Sequence, residues 1–281
     1  MPTTRPDQAS AMLDRVSSLL ATFDGTNRQT LAEIARKSRL PRSSVHRILQ
    51  RLAELGWIER QGTEYGLGLR MFELGSLVVR QDRIHRVGAP YMLDLHRRTG
   101  FTVHLSILRG SDVLHTARIG GSPVDEECWQ VGVRCPAQYS AAGRALLADL
   151  EPAERPVLDL AAPPTRYSLR TRTEVNRELQ KIRDYGVALD HQGQTLGFSS
   201  VATTIGAPGH SSAALSLTGP ADLLRPDRLA PQVHITAADI WLAADDSPRT
   251  RRHSSPRRSP AAPFTLDRLP RVTAPNVDHH A

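Results

Sequence analysis

Cysteine is nearly absent. Cys128 and Cys135 are the two present in 281 residues, which excludes a small fold stapled by disulfides. No apolar run is long enough to span a bilayer, and the N-terminus lacks the apolar core of a signal peptide, so the expected setting is cytoplasmic, reduced and without a membrane partner. Lysine is as scarce: apart from Lys37 and Lys181 every basic residue is arginine. A GC-rich genome accounts for that bias without any appeal to nucleic acid. Phosphate-cradling loops of the P-loop or GxGxxG type are missing, and so is a G-x-S-x-G elbow, which removes the common nucleotide-dependent and serine-hydrolase readings. Asp190, His191, Ser199 and Ser200 are near one another, but adjacent Asp and His on a strand point to opposite faces. The spacing of Cys128 and Cys135 with His104 or His115 fits no common zinc pattern. The chain is therefore expected to be no enzyme and to hold no metal or cofactor.

Charge is missing from one long stretch. From His191 to Ala221 there is no Asp, Glu, Lys or Arg, in a chain that is 23% charged. The stretch reads as two strands, near Ser199–Ile205 and Ala213–Thr218, with Gly206, Pro208 and Gly209 in the hairpin between them. Their small hydroxyl side chains suit either a pocket for a small polar ligand or an uncharged core whose hydroxyls bond nearby backbone. Spacing leaves both open.

Residues 31–60, LAEIARKSRLPRSSVHRILQRLAELGWIER, carry the densest information. Leu31, Ile34 and Ala35 share one face of a first amphipathic run, and Val45, Ile48, Leu49, Leu52 and Leu55 recur at helical spacing in a second. The opposite side of the second run presents Arg42, Ser43, Ser44, His46, Arg47 and Arg51. A helix apolar on one side and rich in Arg, Ser and His on the other suits a DNA major groove. Gly56 closes the run, and Gln61-Gly62-Thr63 reads as a hairpin tip between short strands. Upstream, Ser10 is placed to cap a helix through Phe23 with Met12, Val16, Leu19, Leu20 and Phe23 inward. Together these predict a winged helix-turn-helix over 1–70. The alternative is the same fold used for protein contact.

Farther on, Met71, Phe72, Leu74, Leu77 and Val78 predict a linking helix over 71–87 whose apolar face pairs two copies of the chain. Residues 88–245 predict an α/β domain. A helix near Ala89–Thr99 with Met92, Leu93 and Leu95 inward precedes FTVHLSIL, whose alternation predicts a half-buried strand paired with VLHTARI. A small-residue helix follows Ser140, another runs from Glu174 to Tyr185, and a last one covers Ala237–Leu242. Residues 246–281 are basic and rich in Pro and Arg, too poor in apolar groups to fold, and read as a disordered tail. Residues 1–80 hold 12 Arg or Lys against 8 Asp or Glu, residues 81–245 hold 17 against 18, and residues 246–281 hold 7 against 3. The basic excess thus lies with the helix-turn-helix and the tail.

Five stretches, LAEIARKSRLPRSSVHRILQRLAELGWIER, YGLGLRMFELGS, PAQYSAAGRALLADL, ELQKIRDYGVALD and AALSLTGP, resemble the IclR family of bacterial transcription regulators in order and spacing. The resemblance covers about residues 10–243. It implies a winged helix-turn-helix followed by a GAF-like α/β sensor domain, a dimer or dimer of dimers on a pseudopalindromic operator in double-stranded DNA, and a small organic-acid or aromatic effector. Some members repress and some activate. Matched to the family's positions, the DNA contacts are Ser43, Ser44, His46 and Arg47 with Arg42 leading. Arg51, Gln61 and Thr63 join them from the charge pattern and the wing. The implied effector pocket is Ala141, Ala142, Asp190, Phe198, Ser200, Ser216 and Thr218. Where many members have Cys this chain has Ser200, where many have an acidic pair it has His191 and Gln192, and where many have Pro it has Thr204. Ligand identity therefore does not transfer. The competing function is a metabolite- or redox-sensing module, acting through a protein partner or through Cys128 and Cys135.

Overall fold

A computed structural model of the chain describes residues 8–23, 25, 28–121 and 129–245; the basic tail expected over 246–281 and Cys128 lie outside them. The chain divides into two units between Gln81 and Asp82.

The first unit contains α1 (Gln8–Leu20), β1 (Gln29–Thr30), α2 (Leu31–Ser38), α3 (Arg42–Glu54), β2 (Ile58–Gln61), β3 (Glu64–Leu67) and α4 (Leu69–Gln81). A capping box starts α2: Thr30 Oγ1 accepts from the Glu33 amide while the Glu33 carboxylate accepts from the Thr30 amide at 2.7 Å. That reciprocal pair satisfies two amides that a helix start leaves orphaned. Arg39 in a left-handed conformation ends α2, and Gly56 at φ 73° turns the chain after α3. Leu19, Ile34, Val45, Ile48, Leu49, Leu52, Ile58 and Tyr65 form one buried core, so the apolar stripes of α2 and α3 face each other as their spacing requires. β2 and β3 make the wing hairpin around Gly62-Thr63, and β1 adds a third strand on β3. Two expectations need correction. α1 begins at Gln8, so Ser10 lies inside it, and Met12 is exposed.

The linking helix is not continuous to residue 87. α4 stops at Gln81, and Asp82 adopts an extended conformation and caps a new helix, its carboxylate accepting from the His85 amide at 3.0 Å. An Asp side chain that captures an amide three residues on competes with helix continuation.

The second unit contains α5 (Arg83–Thr99), β4 (Thr102–Arg109), β5 (Asp112–Ile119), β6 (Arg134–Pro136), a short 3-10 turn (Ala137–Tyr139), α6 (Ala141–Asp149), α7 (Arg172–Tyr185), β7 (Ala188–His191), β8 (Phe198–Ile205), β9 (Ala213–Pro220) and α8 (Pro226–Ala244). The strands form one sheet in the order β6-β5-β4-β9-β8-β7, every neighbour antiparallel. On one face Val103, Leu105, Val201, Ile205, Leu215 and Leu217 pack against Met92 and Leu95 of α5 and Leu229, Val233 and Ile240 of α8. Each such side chain, fully buried, contributes about 1.5–3 kcal/mol. The other face packs α6 and α7.

That second layer overturns the half-buried reading of β4. Thr102, His104 and Ser106 alternate with the apolar residues as expected, yet all three are buried, because α6 lies over the face they occupy. Leu93, expected inward, is exposed. α8 starts at Pro226, eleven residues before the expected Ala237. Proline at a helix start is favourable, and Pro231 sits within the first two turns; both read as breakers in the bare sequence.

Candidate functional site

On α3 the residues at 42, 43, 46 and 47 recur at helical spacing on the side away from the core. Arg42, Ser43, His46 and Arg47 are exposed and Ser44 is half-buried. Neither Arg42 nor Arg47 takes part in an ion pair among the described residues, which leaves both guanidinium groups available to phosphate or to a guanine edge. Arg51 differs: Glu54 holds it at 2.8 Å. An exposed pair of that kind is worth well under ~1 kcal/mol, so phosphate can displace it. Gln61 ends β2, and Thr63 is exposed in the turn with Gly62. The wing also carries Arg60, which the sequence reading passed over. Its Nε donates to the Gly62 carbonyl at 2.9 Å and its guanidinium lies 5.7 Å from the Tyr65 ring centre. Only the strand register, with Arg60 opposite Tyr65, could have revealed it.

In the second unit the register brings the uncharged strands' polar residues to one face. Asp190, Ser200, Thr218 and Thr102 form one row across β7, β8, β9 and β4. Ala188, Ala202, Ser216, His104 and Arg118 form the next, running on to β5. Residues paired directly across strands point to the same side, so Ser200, Ser216, Thr218 and His104 share a face. α6 lies over it. Ala141, Ala142 and Ala145 pack against Ala188, Ala202 and Ala214 in one cluster. Methyl groups on both sides let the helix come close, and Gly143 lets the helix start lie against the preceding 3-10 turn: a Cβ there would stand 2.3 Å from the Ala137 carbonyl oxygen. Ser140 Oγ caps the helix by accepting from the Gly143 amide at 2.9 Å. A helix start beside rows of hydroxyls suits an anion, because the first amides and the helix dipole both favour negative charge. Phe198 is half-buried, its ring edge-on to Trp129 at 4.8 Å between centroids.

Asp190 has prior commitments. Its Oδ1 accepts from Arg144 at 3.0 Å and its Oδ2 from the Gln194 amide at 3.2 Å. The Arg144 guanidinium also donates to the carbonyls of Gln138 and Leu189. Both side chains are almost wholly buried, at 4% and 3% exposed. The pair ties the start of α6 to the end of β7 and fixes the loop after Asp190. Arg144 was missed in the sequence because a charged residue amid AAGRALLADL reads as a solvated position. His191 points the other way, exposed, with Ser199 Oγ 3.2 Å from its Nδ1. The Ser–His contact therefore has no Asp190 behind it. Cys135 is buried, and no group of three or more His, Cys, Asp or Glu side chains among the described residues is placed to hold a metal ion.

His104 is a third residue whose place the bare sequence does not reveal. Burial, then the neighbouring His115 and Arg118, push its pKa down to about 3. His115 stacks at a tilt 4.8 Å away, its Nδ1 2.8 Å from Ser106 Oγ.

Family models match both units: the IclR helix-turn-helix domain over residues 12–62 and the bacterial transcriptional regulator IclR C-terminal domain over residues 76–241. The transcriptional repressor AllR of Klebsiella pneumoniae is 29% identical over 240 residues, spanning 78% of this chain and 84% of its own. A transcriptional regulator from Rhodococcus sp. RHA1 is 28% identical with a TM-score of 0.72, covering 83% of this chain and 98% of that one. An IclR homolog from Microbacterium hydrocarbonoxydans, solved with 4-hydroxybenzoate, is 26% identical with a TM-score of 0.72, covering 84% and 100%.

Two predictions arise from the buried ionisable groups. Arg144→Met strands a buried carboxylate and lowers unfolding stability by about 3–5 kcal/mol, whereas Arg144→Met with Asp190→Leu recovers most of the loss. Urea unfolding of the three proteins checks this; equal losses in the single and double variants contradict it. For His104 the folded pKa lies below the unfolded value of 6.5, so the unfolded chain binds the extra proton between about pH 6.5 and 3. Stability is then full above 6.5 and falls as pH drops, by about 2 kcal/mol at pH 5. His104→Phe flattens that part of the stability–pH curve; an unchanged slope means that other groups cause it.

Proposed function

The chain belongs to the IclR family of bacterial transcriptional regulators, and we propose that it binds a pseudopalindromic operator as a homodimer or dimer of dimers, with an affinity set by a small organic-acid or aromatic metabolite. The family is one of regulators, not enzymes. The observation that carries the proposal is the pairing of an exposed Arg/Ser/His face on α3 with a buried, hydroxyl-lined face beneath the start of α6.

In this reading α3 enters the major groove. Arg42, Ser43, Ser44, His46, Arg47 and Arg51 meet phosphates and base edges, and Gln61 and Thr63 reach the flanking backbone. Two copies read two half-sites about one helical turn apart. The effector's carboxylate lies near the Ala141 and Ala142 amides with the hydroxyls of Ser200, Ser216 and Thr218, while Phe198 packs on its apolar part and Asp190 holds the loop that closes the pocket. The 4-hydroxybenzoate held by the Microbacterium homolog supports an acid of that size. Ligand shifts operator affinity only as far as it prefers one of the operator-competent and incompetent forms over the other.

Fluorescence anisotropy with DNA from upstream of the protein's own gene, across a salt series, tests the first half. Tight binding that outlasts nonspecific competitor supports operator recognition; weak binding equal for all sequences and lost with salt contradicts it. Arg47→Ala is expected to weaken operator binding by about 1–3 kcal/mol and to leave effector binding unchanged. Ser216→Ala is expected to weaken the effector response at normal operator affinity; a wild-type effector titration in that variant would move the pocket elsewhere.

A further inference from the structure

The core of the first unit does not use all of the apolar surface that α1 and α3 supply. Met12 on α1 stays 41% exposed, and Leu55 at the end of α3 48%. Both border a groove of about 500 Å³ between the two helices, whose apolar lining is Met12, Val16, Ile48, Leu52 and Leu55. That volume is in the range of small-molecule sites. The polar groups on the groove all come from α3: Arg47, Gln50, Arg51 and Glu54. Arg51 and Glu54 hold each other at 2.8 Å, so the uncompensated charge on the rim is that of Arg47. From Arg47 to Leu55 the groove follows α3 for about 12 Å. An apolar trough with a cation at one end complements an amphipathic anion, hydrocarbon along the trough and carboxylate at the guanidinium. A one-ring acid is too short to reach from Leu55 to Arg47. A second copy of the chain is a poorer occupant. Packed helices stand about 8–10 Å apart, whereas two reading helices on one DNA stand about 34 Å apart, so a copy seated at Arg47 takes the space the operator needs.

We propose that this groove binds a medium-chain fatty acid, its carboxylate on Arg47 and its alkyl chain over Met12, Val16, Ile48, Leu52 and Leu55. The site belongs to the first unit and is separate from the effector pocket of the second. Glu54 repels a carboxylate from the Leu55 end and so fixes the direction in which the chain lies. Arg47 is also on the face that meets DNA under the proposed function, so bound acid and operator compete for one guanidinium. That competition rests on the proposed function; the site itself does not. The acid acts on the reading helix directly and needs no change in the second unit.

Isothermal titration of the full-length protein with hexanoate, octanoate and decanoate tests the site without DNA. Each added pair of methylenes is expected to tighten binding by roughly tenfold. Octylammonium, of the same length and opposite charge, is expected to bind roughly tenfold more weakly than octanoate. Met12→Glu, a change at an exposed position, abolishes binding of the acids. Arg47→Gln weakens octanoate by roughly tenfold and keeps the chain-length dependence. Binding that ignores chain length, that survives Met12→Glu, or that favours octylammonium overturns the site. No binding by any of the acids also overturns it; if Met12→Glu then lowers the sedimentation mass, the groove belongs to a second copy. The wild-type series needs no variant, so poor folding of a substitution does not spare the site. In the anisotropy assay decanoate weakens operator binding by the wild type and not by Met12→Glu, and an operator affinity indifferent to decanoate overturns the competition. Absence of specific operator binding before any acid is added overturns the proposed function and leaves the result of the titration standing.

Discussion

Close approach between α6 and one face of the six-stranded sheet is the constraint on which the second unit depends. The helix and the strands meet through alanines on both sides, Ala141, Ala142 and Ala145 against Ala188, Ala202 and Ala214, and Gly143 lets the start of the same helix lie against the Ala137 carbonyl of the preceding turn. Interiors are packed like crystals, so a larger residue at any of these positions would lift the helix and open the face beneath. With the helix held down, hydroxyls that would otherwise face water become buried, and their hydrogen bonds must be made away from bulk water. The Arg144–Asp190 pair acts in the same place. It adds little net stability by itself, since desolvating two charges offsets their attraction, but it allows only one register between the helix and β7.

How much of this was legible in the sequence depended on whether the relevant physics was local. α3, its apolar stripe and its Arg/Ser/His face could be read because helical period and side-chain chemistry lie within thirteen residues. The helix that follows Ser140 and the one that ends at Tyr185 were legible for the same reason. The uncharged strands were legible as strands, and register then aligned Ser200 with Thr218 and Ala202 with Ser216. What could not be read was whatever depends on a second layer. Alternation in β4 marks two faces, but only α6 lying over one of them makes His104 a buried group. Arg144 looks solvated until its partner arrives from a strand 46 residues later. The break at Asp82 turned on a single side chain capturing an amide, a contest that periodicity does not report.

The two faces of the sheet answer to different demands. The face against α5 and α8 is made of large aliphatic groups whose burial stabilises the unit. The face against α6 is made of Ser, Thr, Ala and His, residues that give up apolar burial for hydrogen-bonding capacity. A strand places alternate residues on these faces, so a substitution at Ser216 leaves Leu215 and Leu217 undisturbed.

That alternation bears on how such a protein diversifies. Ser, Thr and Ala interconvert by single nucleotide changes, and each exchange on the polar face alters donors, acceptors or volume by one atom group while the aliphatic layer behind it keeps its shape. Lineages can therefore exchange the polar groups of this face by small steps without passing through an unfolded ancestor, and gene duplicates sharing one scaffold can come to differ there in hydrogen-bonding pattern alone.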